Sequence, residues 1–534
     1  VAVNRSGIWA SAVFVVLGLM FIVVGCWLRA VDVPEWYQVD PAHPEAAVRP
    51  WTIEADCYSQ LARVQRILQG EGLIQNHFTV ENWPEGLTPS TTAPFDYAIV
   101  LLYAPLKLFT AYPLDWAGAL VSPALWLALV LFWVFFPSRE FNRLGRFLFV
   151  AGSATLPALI FATACGRPRH QSLILLFMAI GLTAEYERWQ IGINPKRAWN
   201  IFAGIIWGLA CWTSLFEPAF VVIVLVLFNL VARRRESPAF LISFGVVMLV
   251  ALIVEGPHLY VPPPEVREDL QRWLATIVEV HGVNFAIFAQ QMSFMLFALP
   301  FLAWALLRRS TDRRTDTLLV VLTVVLCVLT LVQRRWIYYA SLGELFLLVR
   351  YCQFEPLKWS RAGVMALWFI SLIDANHTQL AQRGPPNQPS PQLAKMARSI
   401  DGAGGIMAPW WLSPGLLYFS GQPIVSGSSH CGITGIVASA KFFSSTSWLE
   451  AEKILQERKV RWIVVMDDPR YEYPLANTSR GILGLPFYTD ADKGDVDATV
   501  AQILVTDHMV PTWLRLRAVT PQLKLYEYLP NATK

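Results

Sequence analysis

The amino-acid sequence predicts a polytopic α-helical membrane protein whose C-terminal part is an α/β domain in water. Three observations predict it. Of the 534 residues, 55% are apolar and only 15% charged, with a mean hydropathy of +0.42. A soluble domain carries about 25% charged residues, so this chain has too little charge to cover a surface in water. Apolar runs long enough to cross a bilayer, about 20 residues each, recur up to Ala375. Beyond that point they stop, charge returns, and helical and strand patterns alternate.

The same composition excludes other classes. A formal charge of +4 is too small to mark a nucleic-acid partner. Seven cysteines without a CxxC form neither a disulfide framework nor a zinc site. Cys26, Cys211 and Cys327 fall inside apolar runs, where a free thiol behaves as a small hydrophobe.

Spans are expected near 8–28, 116–136, 146–165, 171–187, 199–215, 218–232, 238–257, 292–307, 316–333, 336–350 and 360–375, about eleven in all. The first, Ile8–Leu28, lacks a small-residue cleavage site and reads as an uncleaved span. The two spans meeting at Phe216-Glu217-Pro218 form a helical hairpin almost without a loop. With the N-terminus in the cytoplasm, the inside loops hold Arg139, Arg143 and Arg146, then Arg188, Lys196 and Arg197, then Arg233, Arg234 and Arg235. They continue with Arg308, Arg309, Arg313 and Arg314, and end with Lys358 and Arg361, as the positive-inside rule requires. An odd count leaves the C-terminal domain outside an inner (plasma) membrane. Tyr97–Phe109 is apolar but short, and reads as a re-entrant or interfacial helix.

The expected domains are therefore residues 1–375, with outer loops 29–115 and 257–291, and residues 376–534, entered through the Pro-rich linker Gly384–Pro391. In the outer domain Gly405–Trp411, Gln422–Val425, Arg461–Met466 and Leu523–Tyr528 read as strands, and Pro414–Phe419 and Leu449–Arg458 as helices. The spans are nearly free of charge and show no internal repeat, unlike many transporters. Chemistry is expected in the outer loops.

Those loops carry the distinctive residues. Glu54 and Asp56, within Trp51-Thr52-Ile53-Glu54-Ala55-Asp56-Cys57-Tyr58, form an acidic pair just before an amphipathic helix with Leu61, Val64, Ile67 and Leu68. This resembles the first-loop motif of GT-C membrane glycosyltransferases, which use lipid-phosphate-linked sugars. Thr276-Ile277-Val278-Glu279-Val280 resembles the Thr-Ile-x-Glu motif of bacterial oligosaccharyltransferase catalytic subunits. Arg334-Arg335-Trp336-Ile337-Tyr338-Tyr339 looks like the arginine-aromatic stretch whose arginine faces the lipid pyrophosphate. Trp410-Trp411 is similar to the Trp-Trp-Asp-Tyr-Gly signature that reads the acceptor sequon. Each stretch also has a plain structural reading: a helix N-cap at Asp56, a turn of loop helix at Glu279, a snorkelling Arg335 beside an aromatic belt, and core tryptophans.

The resemblance implies a GT-C enzyme that moves a sugar or oligosaccharide from a polyprenyl-(pyro)phosphate donor to an acceptor, foremost a protein or peptide, on the outer membrane face. It assigns catalysis to Asp56, Glu54 and Glu279, and donor phosphate to Arg335, Arg334 and Arg169. It assigns the acceptor to Trp410, Trp411, Thr276 and Ile277, and a divalent metal, Mg²⁺ or Mn²⁺, to Asp56, Glu279 and His170. Two departures stand against the family pattern. After the paired tryptophans comes Leu412-Ser413-Pro414-Gly415, which leaves Ser413 as the polar group for an acceptor hydroxyl. In Arg167-Pro168-Arg169-His170-Gln171, Arg169 and Gln171 stand at the ligand positions, and a guanidinium cannot ligate a cation. Arg169 is expected to pair with an outer-loop carboxylate and supply part of the metal's charge. Two alternatives stay open: a GT-C enzyme passing a monosaccharide to a lipid or cell-wall glycan, and a non-catalytic subunit or transporter. Asp374-Ala375-Asn376-His377-Thr378 reads as an acceptor sequon with an acidic residue two before the asparagine.

Overall fold

The structure, a computed structural model, describes the chain except residues 1–4, 32–48, 53, 90–91, 137–140, 189–196, 234, 258–259, 310–312, 355–356, 382–389, 468–472 and 531–534. Ile53, Arg139, Lys196, Arg234 and most of the linker Gly384–Pro391 lie outside the described residues. The chain divides into two compact units. The first comprises Val1–Glu35, Leu120–Val254 and Glu279–Pro385, and the second Trp36–Ala119, Glu255–Val278 and Pro386–Lys534.

The first unit is helical. Helices coincide with all eleven apolar stretches. By length and composition four of them, Val13–Ala30, Pro113–Phe135, Pro238–Glu255 and Arg314–Val332, suffice to cross a membrane, or five if the bent pair Phe285–Met292 and Met295–Arg308 is one span. Among the described residues helix length supports four or five crossings, and the expected count of about eleven is not confirmed by it. Along Pro238–Glu255 the side chains of Leu241, Ile242, Leu249 and Ile253 are all exposed, a surface suited to lipid and costly in water.

The stretch 146–165, expected as one span, is broken. Arg143–Thr155 stops before Leu156, which is extended (φ −66°, ψ 121°), and a short helix Pro157–Ala162 begins anew. Pro157 lacks an N–H and disfavours helical geometry in the residue before it. The Ser153 carbonyl, which an N–H at position 157 would have satisfied, accepts instead from Arg29 Nη2 at 2.8 Å. Arg29 also donates to the Gly25 carbonyl at 3.0 Å and to Thr163 Oγ1 at 2.8 Å, and it lies 3.8 Å from the Trp126 ring centroid. That side chain pins the end of the first helix beside the loop that follows Ala162.

In the second unit, strands β1 (Gly405–Met407), β2 (Val460–Met466), β3 (Leu514–Val519) and β4 (Leu523–Tyr528) form one sheet in the order β1-β2-β4-β3. β1 runs parallel to β2, and the other pairs are antiparallel. Its core holds Met407, Ile463, Val465, Leu504 and Tyr526 beneath helices Ile433–Ser444 and Trp448–Glu457. Gln422–Val425, expected as a strand, makes only isolated bridges from Ile424 to Ile406 and Glu81. β3 was not foreseen, because Arg515 and Arg517 give it the look of a solvated loop; both instead pair with Glu527 on β4. Helix Ser413–Ser420 carries Pro414 in its first turn and stops at Gly421, whose φ of 71° only glycine adopts at no cost.

Candidate functional site

In the first unit the residues of interest gather from three loops. Backbone bonds shape the loop carrying Arg167 and Arg169. Arg169 N–H donates to the Arg167 carbonyl at 2.8 Å, and the Arg169 carbonyl accepts from Ser172 N–H at 3.1 Å and Ser172 Oγ at 2.8 Å. Arg167 lies 3.6 Å from the Phe161 ring centroid, a cation–π contact. His170, half-buried, opens the helix His170–Arg188.

Glu279 stands on the single 3₁₀ turn Val278–Val280. Its loop is held against the next segment by Arg334 N–H, which donates to the His281 carbonyl at 2.8 Å. A Cβ at Gly282 would overlap the Leu331 carbonyl, so only glycine permits this approach.

Arg169 Nη1 pairs with Glu279 Oε1, and Arg335 Nη2 lies 2.6 Å from Glu217 Oε1, a fully buried carboxylate. Burial by itself would raise the Glu279 carboxyl. The guanidinium of Arg169, then those of Arg335 and Arg167, outweigh it and hold the group below the usual carboxylate range. The guanidinium groups of Arg169, Arg335 and Arg167 thus all act on Glu279, and Arg335 also pairs with Glu217. Trp336 and Tyr339 pack beside it with ring centroids 6.0 Å apart, Phe216 lies 5.7 Å from Trp336, and Tyr338 stacks on Phe161 at 6.3 Å.

Arg335 Nε and Tyr339 Oη are buried donors without a hydrogen-bond partner among the described residues, and Gln171 Oε1 is a buried acceptor in the same condition. Buried polar groups are nearly always satisfied, so these three mark where a polar ligand would be received.

In the second unit, Glu54 is the N-cap residue of helix Ala55–Leu68, its carbonyl accepting from Cys57 N–H at 3.1 Å. Asp56 is therefore not the cap but lies in the first turn, exposed, where the helix dipole favours its charge. The buried face of that helix carries Arg63, 3.1 Å from Asp96, and Gln60, which donates to the same Asp96 oxygen. Glu81, 2% exposed, accepts from Ser429 N–H at 3.3 Å. Burial pushes its carboxyl up to about 7 against the pull of Ser429 N–H and Arg63, and the charge of Asp56 adds to the rise.

The tryptophan pair and the Thr-Ile residues meet in this unit. Trp410 stands edge-on to Trp411 at 5.8 Å and to Trp273 at 5.6 Å. Ile277 and Trp410 pack against one cluster of Leu270, Trp273, Ile433 and Ile482. Thr276 folds the chain back, its Oγ1 donating to the Trp273 carbonyl at 2.7 Å. Trp273 Nε1 and Trp410 Nε1 are buried without a partner among the described residues.

Some expectations fail. Ser413 Oγ is buried and committed to the Ala408 carbonyl (3.2 Å), the Pro409 carbonyl (3.0 Å) and Ser426 Oγ (3.2 Å), so it is not open to an acceptor. Leu412 is fully buried. Asn376 of the sequon lies within helix Lys358–Ala381, its Nδ2 donating to the Thr155 and Leu372 carbonyls at 2.8 Å. Among the described residues no three His, Cys, Asp or Glu side chains gather closely enough to hold a metal ion. Of the expected metal residues, Glu279 is paired with Arg169 within the first unit. The Arg169 guanidinium and the neutral Gln171 carboxamide, at two expected ligand positions, offer a divalent metal no anionic oxygen.

Sequence reasoning missed Glu217, Arg167, Tyr339, Trp273 and Glu81 as site candidates. Glu217 could have been found, since an acid between two nearly loop-free apolar spans must have a cationic partner or a function. Glu81 and Trp273 carried no signal short of the fold.

No protein-family model matches the chain, and no curated protein matches it in sequence. Solved structures match its fold. The archaeal oligosaccharyltransferase AglB from Archaeoglobus fulgidus, in complex with an inhibitory peptide and a dolichol-phosphate, aligns with TM-score 0.69 at 13% identity over 95% of this chain and 79% of its own. An oligosaccharyltransferase of the same organism, in complex with Zn and sulfate, gives 0.67 at 13% identity over 94% of this chain and 78% of its own. ArnT from Cupriavidus metallidurans bound to undecaprenyl phosphate gives 0.53 at 11% identity over 97% of each chain. At such identities the likeness speaks for architecture. The fold of this chain is the GT-C fold of oligosaccharyltransferase and ArnT.

Proposed function

We propose that this chain is a GT-C glycosyltransferase that moves a sugar or oligosaccharide from a polyprenyl-(pyro)phosphate donor to a protein or peptide acceptor at the outer face of a plasma membrane. The observation that carries the reading is the pair of unpartnered donors, Arg335 Nε and Tyr339 Oη, beside the guanidinium groups of Arg169 and Arg167. A phosphate oxygen accepts from such donors, and charge-assisted bonds of this kind are the strong ones. The aromatic rings around Trp336 suit the first isoprene units of a lipid carrier.

Within this reading Arg335, with Arg334 and Arg169, receives the donor phosphate. Asp56 activates the acceptor, by taking its proton or bonding its amide N–H, with Glu54 beside it. Asp56 stands exposed in the first helical turn, open to an acceptor. Trp410, Trp411, Thr276 and Ile277 bind the acceptor, the unpartnered Trp410 and Trp273 indole N–H groups offering bonds to peptide carbonyls. Glu279 serves as counter-ion to Arg169.

One observation favours a second reading, a GT-C enzyme passing a monosaccharide to a lipid or cell-wall glycan. The position after the tryptophan pair, Leu412-Ser413, has no polar group left for a sequon hydroxyl. Incubating the purified protein with radiolabelled lipid-linked donor and mixed acceptors tests both readings. Label on peptide supports the first, label on lipid or glycan the second, and label on neither removes both.

A further inference from the structure

Glycosyl transfer from a lipid phosphate leaves a new negative charge on the departing group. The bond from the anomeric carbon to the phosphate oxygen breaks, and its electron pair stays on that oxygen. The acceptor atom bonds to the anomeric carbon, and its proton passes to a carboxylate, Asp56 in the reading above, on which this inference rests. No oxidant or reductant enters. What must be supplied is a cation at the phosphate.

We infer that in this chain the cation is the Arg169 guanidinium, and that donor phosphate is bound and released without a divalent metal. Arg169 stands in the loop where a ligand was expected, and it has no lone pair to give. It occupies the Glu279 carboxylate, the acid that would otherwise hold a metal. A divalent ion added here would stand close to the Arg169 guanidinium, and like charges at such range repel.

Arg169 is also fixed before any ligand arrives. Its N–H is bound to the Arg167 carbonyl, and its own carbonyl is held twice by Ser172. A charge placed in advance costs no reorganisation when the phosphate leaves. Gln171 Oε1, buried and without a partner among the described residues, is a neutral acceptor in the same loop, suited to a sugar hydroxyl or a guanidinium N–H.

The test treats the full-length protein in detergent with EDTA, removes the chelate, and measures two things. One is Mn²⁺ retained after equilibration with excess MnCl₂ and desalting. The other is binding of undecaprenyl phosphate, followed by tryptophan fluorescence with and without EDTA. The expected result is no stoichiometric Mn²⁺ and undiminished lipid-phosphate binding in EDTA. Arg169→Ala should weaken that binding by about tenfold to a hundredfold, and Arg169→Lys, which keeps the charge, by less. Arg169→Asp, which sets two carboxylates side by side, should retain Mn²⁺ and bind lipid phosphate only in its presence. One Mn²⁺ per wild-type chain, or binding lost in EDTA and restored by Mn²⁺, overturns the inference and leaves the glycosyltransferase reading standing. Absence of lipid-phosphate binding under every condition overturns both.

Discussion

Arg335 Nη2 and Glu217 Oε1 lie 2.6 Å apart although Glu217 is fully buried at the mouth of a helical hairpin and Arg335 opens a different helix. The pair uses Nη2 of the guanidinium, and Nε is left for a ligand. A lysine would keep the charge but lose the planar fork that serves both partners.

Arg335→Lys should therefore lower sugar transfer by about tenfold to a hundredfold, with a protein that still purifies as wild type. Transfer rates with a radiolabelled donor measure this. A rate equal to wild type would remove Arg335 from phosphate binding.

Glu217→Ala is expected to act through stability. Leaving a guanidinium without its buried partner costs about 3–5 kcal/mol, so the thermal midpoint in detergent should fall clearly. Glu217→Gln, which keeps a hydrogen-bond acceptor, should fall less.

Asp56→Asn makes the opposite pattern. The side chain is exposed on a helix turn, so the thermal midpoint should not move, while transfer drops by about 10²–10⁴ if it acts as base or amide partner. Transfer within a few-fold of wild type would take the role away from Asp56.

Glu81 predicts a pH dependence. Its carboxyl is raised to about 7 by burial, so the folded state favours the protonated form. That contribution is fully present below about 4.5, the unfolded value, and is lost as pH rises through about 7, on the order of 3 kcal/mol in all. Unfolding free energy of wild type minus that of Glu81→Gln should therefore fall between pH 5 and pH 8. A flat difference would contradict the burial of an ionisable group here.

Acceptor choice follows from Ser413 and Leu412. With neither able to grip a hydroxyl, a free peptide of the sequence Asp374 to Thr378 and its Thr→Val form should be modified at rates within about tenfold of each other, since an apolar pocket discriminates weakly. A hundredfold preference for threonine would mean that another group binds the hydroxyl.

Much of the architecture was legible because bilayer thickness and strand alternation act on neighbouring residues. Each apolar run holds helix, though 146–165 is broken at Leu156, and β2 and β4 announced themselves as runs of apolar residues that are mostly buried. What was not legible depends on distant partners. β3 looked solvated until Glu527 was placed opposite Arg515. Ser413 looked available until Ser426 and the Ala408 carbonyl surrounded it. The pairing of Arg169 with an outer-loop carboxylate could be anticipated, since a cation in an acidic neighbourhood needs a counter-ion. Glu217 as the partner of Arg335 could not, because nothing local links a hairpin tip to a later helix start.

The bond from Arg29 to the Ser153 carbonyl ties together two residues that no local rule connects. Pro157 withdraws a donor, and Arg29 replaces it. A lineage that lost the proline would regain an N–H at that position and could afterwards shed the arginine at little cost. A lineage that lost the arginine first would be left with an orphaned buried carbonyl. The order of the two changes is therefore constrained, and the two positions should be inherited as a pair.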